Sequence, residues 1–234
     1  MNRIFDSKVL SIPLNISKSF FEKHSMIRSE NLTFQYSAAD SALQFPTIHI
    51  EKHNHTLLLG ESGSGKTTLL HLIGGLSSPT SGKVYIENQD IYALSEEKRD
   101  LFRAKNMGFI FQDAHLLKNL TIEENIILAQ YLAKEKQNRS AVSNILEKLQ
   151  IKDKAHSYPH QLSRGQLQRA AIARALINNP KILIADEPTA ALDDTNTKHV
   201  IDLILDTATN FGATLLIATH DTRIKSFFAH TYQL

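Results

Sequence analysis

Thr56-Leu57-Leu58-Leu59-Gly60-Glu61-Ser62-Gly63-Ser64-Gly65-Lys66-Thr67-Thr68 decides how this chain folds. Residues 56–59 read as a buried strand, the glycine-spaced segment as a tight loop, and the residues beyond it as a helix stopping at Gly74-Gly75. The stretch from Gly60 to Thr67 matches G-x-x-x-x-G-K-[ST]. Glycines let successive backbone N–H groups surround a phosphate where side chains would obstruct. The following helix turns its positive dipole end to the same point. The pattern predicts a nucleotide site spanning Gly60, Glu61, Ser62, Gly63, Ser64, Gly65, Lys66, Thr67 and Thr68. Lys66 is placed to reach the β- and γ-phosphates, and the Thr67 hydroxyl to ligate Mg²⁺.

Such a loop binds but does not activate water. Residues 181–187 supply the missing part, an apolar strand ending in Asp186-Glu187 before Pro188. Asp186 suits Mg²⁺ and Glu187 suits a general base. Adjacent strand residues face opposite sides, so both serve one site only where the strand ends and Pro188 turns the chain.

Outward from these two segments, strand and helix patterns alternate. Residues 31–36, 47–51, 83–87, 108–112, 182–185 and 214–218 read as strands, and residues 195–209 as a helix between the last two. That alternation predicts an α/β fold with a mainly parallel sheet. From about 115 to 178 the chain reads as all helical, an inserted subdomain. Thr121-x-x-Glu124 is a capping box opening a helix to about 133, and residues 141–150 carry Val142, Ile145, Leu146 and Leu149 on one face. Ser163-x-x-Gln166 opens a third helix, ending before Pro180. Residues 1–25 read as an extension without a clean period, and 26–234 as the domain proper.

Composition narrows the function classes. The chain has 234 residues, net charge +2 and no cysteine, which removes disulfide frameworks, thiolate metal sites and cysteine nucleophiles and fits a reducing cytoplasm. No block of like charges marks a nucleic-acid surface, so none is expected as partner. Apolar runs such as 57–59 and 215–218 fall far short of the about 20 residues of a membrane span. Arg3 and Lys8 are interrupted by Asp6 and Pro13 with no signal-peptide core behind them. The eleven histidines show no metal-ligand spacing.

The order of Gly60–Thr68, Gln112, Leu162-Ser163-Arg164-Gly165-Gln166, residues 182–187, Ala191-Leu192-Asp193 and Thr219-His220-Asp221 resembles the nucleotide-binding subunit of ATP-binding cassette (ABC) transporters. The resemblance runs over about residues 27–225, and the fragment from Tyr158 to Leu176 carries it most strongly. It implies a P-loop NTPase fold: a RecA-like core, an N-terminal antiparallel β subdomain and a helical subdomain. It implies ATP and Mg²⁺ as ligands, ATP hydrolysis, and a homodimer closing head-to-tail around two ATP molecules. Ser163, Gly165 and Gln166 would meet the γ-phosphate held by the partner's loop, Gln112 would sense Mg²⁺ and attacking water, Asp193 would sit at the seam, and His220 would touch the γ-phosphate. Tyr36 falls where the family stacks an aromatic ring on adenine. An ordinary strand aromatic at 36, a structural histidine at 220 and a merely well-capped helix at 163 are the plainer alternatives.

Arg164 departs from the family, which usually has glycine there. A cation opposes the dipole at a helix start but suits a triphosphate opposite it. Residues 103–117 and 120–125 are similar to the lipoprotein-releasing and macrolide-exporter ATPases, although Lys118 stands where that group commonly has proline. The resemblance implies a cytoplasmic subunit, peripheral on the inner membrane, driving a permease received in a groove near Gln112 and residues 113–133. The amphipathic pattern of 113–133 serves equally as subdomain core. The alternative function is a cassette protein with a regulatory or non-transport role.

Overall fold

Apolar alternation sorts the chain into two five-stranded sheets. A computed structural model describes residues 25–37, 39, 41–190 and 192–234. The extension read at the N-terminus lies outside them but for Ser25, which already opens a strand. The antiparallel sheet comprises β1 (Ser25–Phe34), β2 (Leu43–Gln44), β3 (His49–Glu51), β5 (Ser81–Ile86) and β6 (Gln89–Asp90). The parallel sheet has the order β10-β4-β9-β8-β7, with β4 Thr56–Leu59, β7 Met107–Ile110, β8 Ile182–Asp186, β9 Thr214–Thr219 and β10 His230–Gln233.

The parallel sheet is covered on both faces, as its near-continuous apolar strands require. Leu57, Leu59, Leu183, Ala185, Leu215 and Ile217 face one hydrophobic core; Leu58, Ile182, Ile184, Leu216 and Ala218 face another. The second core holds α1 (Lys66–Ile73) against the apolar side of the antiparallel sheet, including Ile27, Val84 and Ile86. The first holds α3 (Ile122–Leu132), α4 (Arg139–Lys148) and α5 (Arg164–Leu176), all between β7 and β8, together with α6 (Asp194–Asn210). The helix α2 (Glu96–Asn106) precedes β7 and buries none of its residues.

Local signals act where they are read. Thr121 and Glu124 exchange both capping-box hydrogen bonds at α3, and Ser163 and Gln166 do so at α5. The α5 helix is rich in alanine because it lies close on β7: a Cβ on Gly108 would stand 2.3 Å from the Ala175 carbonyl oxygen. Among the described residues, no helix is long and apolar enough to cross a membrane.

Two strand ends differ from the sequence reading, with consequences for the site, and one strand is additional. The β1 strand ends at Phe34, so Tyr36 lies beyond the sheet rather than in it. The β7 strand ends at Ile110, which leaves Gln112 in the following loop. The polar β10 was not anticipated; among the described residues it is an edge strand paired only with β4.

Candidate functional site

The carboxyl ends of parallel strands are where α/β sheets bind ligands. Here Leu59 pairs with Thr219, Asp186 with Ala218 and Ile110 with Ala185, so the segments after β4, β7, β8 and β9 emerge along one edge. A cleft of about 510 Å³ lies there, lined by Tyr36, Ser41, Leu43, Ser62, Gly63, Gly65, Lys66, Thr67, Thr68 and Glu187.

The loop's path rests on glycine. Gly63 (φ 83°) and Gly65 (φ 95°) are left-handed, a conformation that residues with a Cβ avoid. Gly65 caps α1 without any side-chain hydrogen bond, so the first-turn amides have no side-chain partner. Lys66 is 5% exposed, and its Nζ donates to the carbonyls of Gly60 (2.9 Å) and Glu61 (2.8 Å). The ammonium thus bridges the loop from inside and stands 3.8 Å from Glu187 Oε1.

Asp186 closes β8 beside α1 and hydrogen-bonds the Thr67 hydroxyl. Burial pushes its carboxyl above the usual carboxylate range, helped by the Glu187 charge and opposed by the Thr67 bond and the His71 and Lys66 charges. Asp186 Oδ1 and Ser64 Oγ are buried with no protein partner. A buried, unpartnered carboxylate oxygen beside a threonine hydroxyl fits a hard cation. Among the described residues, no group of three or more His, Cys, Asp or Glu forms a self-contained metal site. A cation here would take its remaining oxygens from the nucleotide and water.

Glu187 turns the chain itself. Its φ is 47°, and the turn closes by Ala190 N–H donating to its carbonyl (3.2 Å), with Pro188 second in the turn. The left-handed step swings the carboxylate over the strand ends. Oε2 accepts from the Thr219 hydroxyl (2.7 Å), and Oε1 accepts from the His220 backbone N–H (3.1 Å) and ring Nδ1 (2.9 Å). Since a carboxylate only accepts, Nδ1 carries the ring proton. Thr219 is fully buried and also accepts from Asp221 N–H (3.0 Å). Sequence reading missed Thr219: nothing distinguishes a threonine ending an apolar strand until its partner is placed opposite.

Tyr36 is 70% exposed and stands edge-on to Phe34. Its hydroxyl is tied to Thr68 Oγ1 (2.5 Å), which holds an open ring face over the cleft's rim. The cleft therefore gathers the loop, Glu187 and Tyr36, with Asp186 behind Thr67 and His220 against Glu187.

The remaining candidates lie apart from it. Gln112 is exposed in the loop after β7. Ser163 and Gln166 spend their side chains on the α5 cap, and a Cβ on Gly165 would meet nothing within 4 Å. Asp193 caps α6, accepting from the backbone and side chain of Asn196 (2.8 Å each), and the backbone bond foremost holds its carboxyl low. Arg164 is exposed at the start of α5 and makes a contact within its own subunit. Nη2 donates to the Ala190 carbonyl (2.8 Å) in the same chain.

A larger groove of about 660 Å³ lies outside the nucleotide cleft and beside the Gln112 loop, between α2, β7, α3 and α5, lined in part by Phe109, Phe111, His115, Leu117, Leu128 and Leu132. Leu117, Tyr131 and Leu132 are exposed beside or within it.

The family described as ABC transporter matches residues 43–190. The chain is 38% identical over 212 residues to the lipoprotein-releasing system ATP-binding protein LolD of Buchnera aphidicola (subspecies Schizaphis graminum), covering 90% of this chain and 87% of that one. It is 44% identical over 176 residues to LolD of Leptospira interrogans, covering 75% and 74%. Among solved structures, the dimeric structure of MJ0796, a bacterial ABC transporter cassette, matches with TM-score 0.78 and 33% identity over 89% of this chain and 94% of that one. Its post-hydrolysis dimer bound to ADP and Pi matches with TM-score 0.78 and 32% identity, over the same shares.

Proposed function

The chain belongs to the ABC transporter family as an ATP-hydrolysing, Mg²⁺-using cassette of the LolD group, and on that premise we propose that its chemistry runs through Glu187. The observation that carries this reading is the carboxylate's clamp: three donors fix its plane, and Lys66 lies 3.8 Å away. A base so fixed needs no reorganisation when a proton arrives.

In the proposed step, the loop amides and Lys66 hold the ATP phosphates. Glu187 takes a proton from a water whose oxygen attacks the γ-phosphorus. The bond to the bridging oxygen breaks, leaving ADP and phosphate. His220 and Thr219 hold the carboxylate in line, and Tyr36 offers its open face to the adenine. Thr67 and Asp186 would hold Mg²⁺, joined by Gln112 if its loop swings to the cleft on nucleotide binding, and the ion would supply charge neutralisation at the phosphates.

Two copies close on ATP, with Ser163, Gly165 and Gln166 of each meeting the nucleotide held by the other and Asp193 at the seam. The dimeric cassettes of like fold support this arrangement. A membrane permease docks by an amphipathic cytoplasmic helix in the groove beside Leu117 and Leu132, which places the chain on the cytoplasmic membrane face. The names of its relatives support lipoprotein release as the driven process.

Replacing Glu187→Gln tests the reading. Turnover should vanish while ATP stays bound in a dimer on size exclusion. Undiminished phosphate release by that variant would refute the base assignment.

A further inference from the structure

Arg164 is the first residue of α5 and Gln168 lies one turn further on, so both side chains leave the same face of the helix. That face meets the turn following Glu187. Arg164 Nη2 donates to the Ala190 carbonyl (2.8 Å), and Gln168 Nε2 donates to the Pro188 carbonyl (3.0 Å). Ala190 in turn donates its N–H to the Glu187 carbonyl (3.2 Å). A continuous chain of hydrogen bonds therefore runs from the start of α5 to the backbone of Glu187. Left-handed backbone at a residue carrying a Cβ persists only where its surroundings over-determine it, and this chain is part of that determination.

We infer that Arg164 is a positioning residue for hydrolysis: it latches the first turn of α5 to the Pro188–Ala190 turn of its own subunit and so sets the aim of the Glu187 carboxylate. The inference rests on Glu187 being the base. It assigns Arg164 a task that the glycine usual at this position cannot perform, and it makes α5 the lever: any displacement of its first turn is felt two hydrogen bonds away at Glu187.

The test compares Arg164→Gly, Arg164→Lys and Gln168→Ala in steady-state Mg-ATP hydrolysis, with melting curves for each. Arg164→Gly should lower kcat about tenfold, the scale of one lost charge-assisted hydrogen bond, while KM changes by less than about twofold. Its melting temperature should fall by no more than about 1–4 °C, the propensity cost of a glycine at an exposed helix position. Arg164→Lys should recover much of the loss, since an ammonium can still donate to one carbonyl. Gln168→Ala should cost less beside Arg164→Gly than alone, because both hold one turn. In a Glu187→Gln background, Arg164→Gly should still dimerise with ATP. Wild-type kcat in Arg164→Gly, or a loss confined to KM or to that dimer, would overturn the latch even where Glu187→Gln is inactive. Full turnover by Glu187→Gln alone would instead remove the base assignment and the latch with it.

Discussion

Gly165→Ala separates what this chain needs from what an assembled site needs. Gly165 is the second residue of α5, its backbone is not left-handed, and a methyl there would meet no atom within 4 Å. Within the subunit, nothing asks for glycine. Alanine should therefore stabilise the fold, by up to about 0.5–1 kcal/mol, as in a helix interior. For a domain of this length that is a rise in melting temperature of about 1–4 °C. If α5 opens onto a phosphate held by another subunit, the same methyl enters the space the phosphate must occupy. Turnover should then fall by about 10–100-fold, the cost of a misplacement on the order of 1 Å. The assay is a thermal melt beside phosphate release and ATP-dependent dimerisation, the last in a Glu187→Gln background. A variant as active and as dimeric as wild type would refute an outward-facing Gly165. A fall in stability of more than about 1 kcal/mol, on the scale of ordinary destabilising substitutions, would refute the open space.

Gly108→Ala should do the opposite, costing about 1–3 kcal/mol in urea unfolding through overpacking, because its methyl would stand 2.3 Å from backbone in α5; an unchanged midpoint would contradict the close α5–β7 contact. Thr219→Val removes one donor to Glu187 and leaves the Asp221 N–H without its acceptor; kcat should fall about tenfold with nucleotide affinity retained, and Thr219→Ser should restore it. Burial raises the Glu87 carboxyl, but hydrogen bonds and charges from Lys181 and Lys52 outweigh it, so its pKa lies below the usual 4.5. Its stabilising contribution is then complete above pH 4.5 and lost as the pH falls below that value. Glu87→Gln should flatten the acid limb of a stability-against-pH curve measured by urea midpoints; an unchanged limb would refute the pairing.

What the sequence declared and what it withheld divide along one physical line. The phosphate loop and both capping boxes are contiguous in sequence, with partners three residues apart in the boxes and five or six in the loop, and the apolar alternation of β4, β8 and β9 is equally local. The α2 helix is mostly charged and only half-buries Leu101, Phe102 and Ala104, so its apolar stripe is thin and Ser95 before Glu96-Glu97 is the clearest hint of its start. The polar β10 owes its existence to hydrogen bonds offered by β4, residues far away in the chain. The clamp on Glu187 brings together residues 187, 219 and 220, and the Arg164 contact spans 26 positions. A reading of Asp186-Glu187 as paired carboxylates could name the base but not the groups that aim it. It could not foresee that a cation at a helix start would also donate to a carbonyl of its own subunit.

The parallel sheet also works as a partition. Leu57, Leu183 and Leu215 belong to a core shared with α3–α6, whereas their immediate neighbours Leu58, Ile184 and Leu216 belong to a core shared with α1 and the antiparallel sheet. The two interiors back onto one another across a single layer of backbone. Repacking one with volume-conserving changes should leave the other nearly untouched, and paired substitutions from opposite sides should come close to adding. The nucleotide loop leans on the α1 core through Phe45 and Leu43, whereas the larger groove borders both interiors, with Met107 and Phe109 from one and Ala129 and Ala175 from the other.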